Sequence, residues 1–238
     1  MASKKKTLEI SLKDMTEIKP ITDNQKEVFN HFTDKNLFLY GVAGTGKTFV
    51  ALYNALKDVL DPKSPRERVY IVRSIIPTRD IGFLPGDEED KSYLYQVPYQ
   101  NMVRFMFKRS SDAEFDRLYN DLRNQGTIDF LTTSFLRGVT IDNGVIIVDE
   151  CQNLNFHELD TIMTRVGQDT KIIFAGDMQQ TDLTKTQDRN GILDFVNILQ
   201  AMPEVETIEF NLNDIVRSGL IKSYLLNKIK LGLHYDQV

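Results

Sequence analysis

Short runs of β-branched and aromatic residues alternate along the chain with stretches whose apolar positions recur at helical spacing. The runs 36–40, 69–73, 127–131, 145–149, 172–175 and 206–210 predict strands. Several are continuous in Val, Ile, Leu and Phe, as expected of strands covered by helices on both faces. Helices are predicted at about 24–33, 47–60, 98–108, 112–124, 156–166, 191–201 and 214–231. Thr22 followed by Gln25, and Asn155 followed by Glu158, read as capping boxes that open two of them. Strand and helix in alternation predict an α/β fold, a three-layer parallel sheet with helices on both faces. The stretch 75–99 reads as irregular, with Pro77, Gly82, Pro85, Gly86, Pro98 and the acidic run 87–90. A loop of that length is expected to be functional. Residues 1–20 lack periodicity and carry Lys4, Lys5 and Lys6. They are expected to form a loosely ordered arm before a single domain over 21–238.

Composition narrows the picture. The 238 residues, 41% apolar and 26% charged, suffice for one large α/β domain. Lys and Arg number 29 against 34 Asp and Glu, for a net charge of −5. A binder driven by a strongly basic surface is disfavoured, although a local basic strip is not. Apolar runs are too short for a membrane-spanning helix, so no membrane partner is expected. The lysines near the start are followed by no apolar stretch, which argues against a secretory signal. With Cys151 as the one cysteine, no internal disulfide forms, and a cytoplasmic setting is expected. His31, His157 and His234 show no metal spacing with Cys151, so zinc is not expected.

Candidate chemistry begins at Gly41, Val42, Ala43, Gly44, Thr45, Gly46, Lys47 and Thr48, which fit G-x-x-x-x-G-K-[ST]. Glycines let backbone N–H groups wrap a phosphate, and the following helix turns its positive end to the same anion. Lys47 is placed to reach the β- and γ-phosphates, and the Thr48 hydroxyl to coordinate Mg²⁺. The strand predicted at 145–149 ends in Asp149 at the sheet edge where ligands sit, as a second Mg²⁺ ligand. Glu150 beside it can position and deprotonate a water. A kinase transfers to a substrate hydroxyl and a switch GTPase uses a glutamine, so the Asp-Glu pair points to ATP hydrolysis. Cys151 is expected to be packing, while Gln152 and Asn153 can link the nucleotide site to a bound strand. A third apolar strand runs into Gly176, Asp177, Met178, Gln179 and Gln180. By its spacing from Gly176, Gln180 is expected to contact the γ-phosphate and report its loss.

These three elements, in this order, resemble the core of superfamily-one helicases. The rest of the chain is similar to the PhoH-like ATPases. The matching segments are 41–48, 82–87, Arg137-Gly138, 145–153, 164–167, 176–183 and 214–218. Departures are Cys151 in place of the usual alanine, Asn190-Gly191-Ile192 in place of a Ser-Gly-Leu-like segment, and Ile75-Ile76-Pro77 before the Gly82 loop. None touches a catalytic group, and nucleic-acid preference is what they affect. The resemblance implies a RecA-like P-loop NTPase sheet with the 172–175 strand between the phosphate-loop strand and the Asp149 strand. It implies ATP and Mg²⁺ as cofactors, homo-oligomeric rings, often hexamers, and links to RNA metabolism or phosphate starvation. Compact relatives occur in bacteria and phages. Some relatives carry a fused PIN-type nuclease, for which this length leaves no room, so nuclease activity is not expected.

Helicases of the resembling superfamily close ATP between two RecA-like domains, the second giving an arginine. One domain here predicts that a neighbouring subunit donates it, since such an arginine is worth about 10³–10⁵ in rate. Arg217 is the first candidate, Arg165 the second and Arg137 the third; an ordinary surface ion pair is the alternative for each. Gln25 resembles the glutamine that reads adenine in helicase-like proteins, and a helix-capping role is equally open. Arg73, Arg79, Phe83, Tyr93, Tyr95, Tyr99, Arg104, Lys108 and Arg109 mix basic and aromatic types, as single-stranded RNA or DNA binding and subunit interfaces both do. The leading expectation is an oligomeric, Mg²⁺-dependent ATPase acting on RNA or single-stranded DNA, with helicase activity included. The alternatives are an ATP-dependent regulatory or assembly module acting on a protein partner, and a small-molecule kinase, against which Glu150 and the lack of an arginine-rich lid count.

Overall fold

The computed structural model describes residues 10–73, 88–133, 136, 138–178 and 186–231. All six predicted strands form, as β1 Asn36–Gly41, β2 Arg68–Arg73, β3 Ile128–Leu131, β4 Gly144–Asp149, β5 Lys171–Gly176 and β6 Val205–Phe210. They make one parallel sheet in the order β3-β2-β4-β5-β1-β6. The fold is α/β and RecA-like, with β5 seated between the phosphate-loop strand β1 and the Asp149 strand β4. The helices are α1 Asp23–His31, α2 Lys47–Val59, α3 Glu88–Met106, α4 Asp112–Asn124, α5 Phe156–Met163, α6 Thr186–Ala201 and α7 Gly219–Lys230.

The apolar strand runs fill two cores because neighbouring side chains point to opposite faces. Leu37, Leu39, Ile71, Ile147 and Ile173 face a core shared with Val50, Leu52 and Leu56 of α2, Val103 of α3 and Phe115 and Leu122 of α4. Phe38, Val72, Ile146, Val148 and Phe174 face the other, with Leu159 and Ile162 of α5 and Phe195 and Leu199 of α6. Every residue of β4 and β5 is buried, which explains their unbroken hydrophobicity. Each such side chain contributes about 1.5–3 kcal/mol of transfer free energy.

Four expectations change. The irregular stretch expected over 75–99 is helical from Glu88, while 75–87 lies outside the described residues. Pro98 inside α3 removes a helix hydrogen bond, and burial of Tyr99, Val103, Met106 and Phe107 around it offsets the loss. The helix expected over 214–231 is divided: a 3₁₀ turn, Leu212–Asp214, precedes α7. α7 is not a core helix, since Leu220 is 82% and Tyr224 64% exposed. At Thr22 only half a capping box forms: the Thr22 hydroxyl accepts from Gln25 N–H, whereas the Gln25 side chain accepts from Ile21 N–H. The box at Asn155 and Glu158 is complete. Of the stretch expected to be a loose arm, residues 10–20 lie against the domain. Ile10 is buried, Thr16 N–H donates to the Met106 carbonyl at 2.7 Å, and Ile18 N–H to the Tyr53 hydroxyl.

Candidate nucleotide-binding site

Parallel strands bring their carboxyl ends to one edge, and the register places Arg73 opposite Asp149 and Tyr40 opposite Gly176. The 41–48 segment leaves β1 there and enters α2 at Lys47. Its path needs glycine. Gly41 has φ +118°, and a Cβ on it would come within 2.0 Å of the Phe210 carbonyl oxygen. Gly44 and Gly46 are also left-handed. Inside the loop the Lys47 ammonium donates to the carbonyls of Gly41 at 2.7 Å and Val42 at 2.8 Å. Burial lowers its pKa, while the charges of Asp177, Glu150 and Asp149 act in the opposite sense. A cation thus sits in a cradle of backbone and helix terminus, the arrangement that receives phosphate.

The two residues expected to hold Mg²⁺ meet: the Thr48 hydroxyl donates to Asp149 Oδ1 at 2.7 Å. Paired hard oxygens beside a phosphate cradle fit a magnesium ion. Burial, then the Glu150 charge, raises the Asp149 pKa; hydrogen bonds from Tyr99 and Thr48 and the Arg73 cation pull it down. Glu150 follows in left-handed backbone, φ 51° and ψ 42°. Gln152 steadies it. Its Nε2 donates to Glu150 Oε2 at 2.5 Å, and its Oε1 accepts from Asp177 N–H at 3.0 Å. The end of β5 is therefore tied to Glu150, a link the sequence placed only in general terms. Cys151 is buried, as packing requires, and burial pushes its thiol well above the ordinary range.

Two residues of the site were assigned elsewhere from sequence. Tyr99 is fully buried and its hydroxyl donates to Asp149 Oδ2 at 2.6 Å. Burial, then the Asp149 charge, holds its pKa well above the usual value, so the phenol keeps its proton. Arg73 lies beside Tyr99 and Asp149. Burial works against its cation, but Tyr99, Asp149 and Glu150 outweigh it and raise the pKa. Buried as it is, Tyr99 is not available as a surface contact for a polynucleotide. Of the same group, Arg104 pairs with Asp112 and Asp116, and Arg109 with Asp14. A buried tyrosine on a helix cannot be told from a surface one by sequence when its neighbours include Pro98 and an acidic run.

Gln25 reaches the site from α1, its Nε2 donating to the Thr45 carbonyl at 3.0 Å. Arg217 is exposed. Its Cγ lies 3.0 Å from where a Cβ on Gly44 would stand, along its own phosphate loop. Val216 N–H donates to the Gly44 carbonyl, and Asp214 ties the preceding turn to Asn24 of α1. Arg165 lies before β5, at the opposite edge of the sheet. Gln180, Arg137, Arg79 and Phe83 lie outside the described residues, and of Tyr93 only the backbone is described.

A family model described as PhoH-like protein matches residues 17–227. The chain belongs to the PhoH-like family. A PhoH-like relative, Protein PhoH2 of Bacillus subtilis, is 37% identical over 145 residues, 60% of this chain and 32% of that protein. The PhoH-like protein of Mycobacterium leprae is 30% identical over 218 residues, 90% of this chain and 59% of that one. The chain thus spans from a third to three fifths of the length of these two relatives. Among solved structures, a large terminase from a thermophilic bacteriophage aligns with a TM-score of 0.48 and 12% identity, over 87% of this chain and 50% of that one. Among the described residues no helix is long and apolar enough to cross a membrane.

Proposed function

We propose that this PhoH-like chain is an Mg²⁺-dependent ATP hydrolase whose turnover is coupled to single-stranded RNA or DNA. One observation carries the reading: the glycine cradle, Lys47, the Thr48–Asp149 pair and Glu150 converge on a single sheet edge. Backbone N–H groups of the loop and the start of α2 bind the triphosphate, and Lys47 exchanges its own carbonyls for phosphate oxygens. Thr48 and Asp149 offer oxygens to Mg²⁺, which when bound neutralises phosphate charge. Glu150 orients the attacking water and takes its proton, with Gln152 fixing the carboxylate. Gln180, just beyond Asp177, senses the γ-phosphate. The Gln25 amide supports the loop and has capacity at both ends for a second bond, to adenine.

We assign the protein to a homo-oligomeric ring, for which the exposed Leu220, Ile221 and Tyr224 of α7 supply apolar surface. With Arg217 along its own loop, Arg165, at the opposite edge of the sheet, is a further candidate to serve a neighbour. The test of function is phosphate release from ATP with Mg²⁺, with and without single-stranded RNA or DNA. Release that Lys47→Ala abolishes and one polymer stimulates is the expected result; no release from the wild type overturns the reading. The alternative, a regulatory or assembly module acting on a protein, is favoured by one observation. Arg73, Tyr99, Arg104 and Arg109 are all partnered within the chain. Hydrolysis indifferent to every polymer would select it.

A further inference from the structure

We propose that Tyr99 is a positioning residue for Asp149, and that through it the seating of α3 sets the metal affinity of the nucleotide site. This rests on the ATPase reading of that site. The two oxygens of Asp149 are divided between two hydroxyls. Oδ1 accepts from Thr48, on the phosphate-loop side, and Oδ2 accepts from Tyr99 at 2.6 Å, on the α3 side. A cation bound at the Thr48 side therefore meets a carboxylate whose other oxygen is already fixed from behind. Arg73, opposite Asp149 in the β2–β4 register, sets a cation beside the phenol and the carboxylate.

Tyr99 has little freedom of its own. It is fully buried, its ring meets Phe130 of β3 edge-on at 5.5 Å between centroids, and α3 continues into the buried Val103, Met106 and Phe107. A shift of α3 along the sheet must carry the phenol with it, and the Asp149 carboxylate then loses its rear support. Partners behind a metal ligand commonly govern affinity by about 10–100-fold. Thr48 belongs to α2 and moves with the phosphate loop, so among the described residues it is the Tyr99 bond that connects the carboxylate to α3.

The test is Tyr99→Phe in the full chain, which keeps the ring and removes the hydroxyl. Binding of a fluorescent, non-hydrolysable ATP analogue is measured as Mg²⁺ is titrated, and separately in EDTA. The expected result is a Mg²⁺ half-saturation raised about tenfold, with metal-free nucleotide affinity unchanged. A half-saturation in Tyr99→Phe equal to that of the wild type overturns the proposal, as does an equal weakening with and without metal. Wild-type protein that binds no analogue under either condition overturns the ATPase reading beneath it, a distinct outcome.

Discussion

Glu150 occupies left-handed backbone, where a residue with a Cβ is disfavoured by about 1–2 kcal/mol. The bond from Gln152 and the buried turn at Cys151 hold it there. Glu150→Gln retains shape and removes the base, so nucleotide affinity should stay while turnover falls about 10²–10⁴-fold; stopped-flow phosphate release against equilibrium binding separates the two. Far from this edge, Lys171 is buried at the start of β5, its ammonium donating to the Lys35 carbonyl and lying 5.2 Å from the Phe32 ring centre. Burial, then the Arg66 cation, lowers its pKa to about 8. Between that value and the 10.5 of a free lysine the unfolded chain holds the extra proton, so this group's contribution to stability rises with pH across the window. Below about pH 8 the buried charge is a standing cost. Lys171→Met should therefore gain most over the wild type near pH 7, with the gap narrowing by about pH 10 in urea unfolding.

At the scale of elements, β4 and the segment after it combine a core strand with the acidic pair. Ile147, 1% exposed, packs on the α2 face. Ile147→Ala should cost about 2–5 kcal/mol in chemical unfolding without removing any group of the site. The contrast is α7, whose Leu220, Ile221 and Tyr224 face outward. Replacing Leu220 and Tyr224 with serine should leave unfolding free energy within about 0.5 kcal/mol, as surface changes do. If α7 forms a subunit contact, the same change lowers the mass measured by light scattering.

For the molecule as a whole, the placement of Arg217 bears on how subunits would share work in the proposed ring. Its stem runs along Gly44 of its own chain, anchored by Val216 and, through Asp214, by α1. Mixed Arg217→Ala and Lys47→Ala chains should recover no turnover, because each mixture still places one defect in every site. Recovery toward a quarter or more of wild-type rate would mean that Arg217 serves a neighbour.

The phosphate loop and the Asp149–Glu150 pair were legible because both depend on residues adjacent in sequence, where spacing alone fixes geometry. The strands were legible for a similar reason: burial on two faces demands unbroken apolar runs, and the chain supplies them. Helix α3 was misjudged because Pro98 and the acids around 87–90 are local breakers, while its stability comes from burial against distant strands. Tyr99, Arg73 and Gln152 belong to the site through contacts between residues far apart in sequence, to Asp149, Asp177 and one another. Only packing determines which of many tyrosines and arginines turns inward. The sequence by itself determined the parallel sheet, the phosphate cradle and the acidic pair at its rim. The tertiary structure alone decided that Arg217 lies along its own loop and that a phenol from α3 backs the acidic strand, because both follow from how separate elements dock.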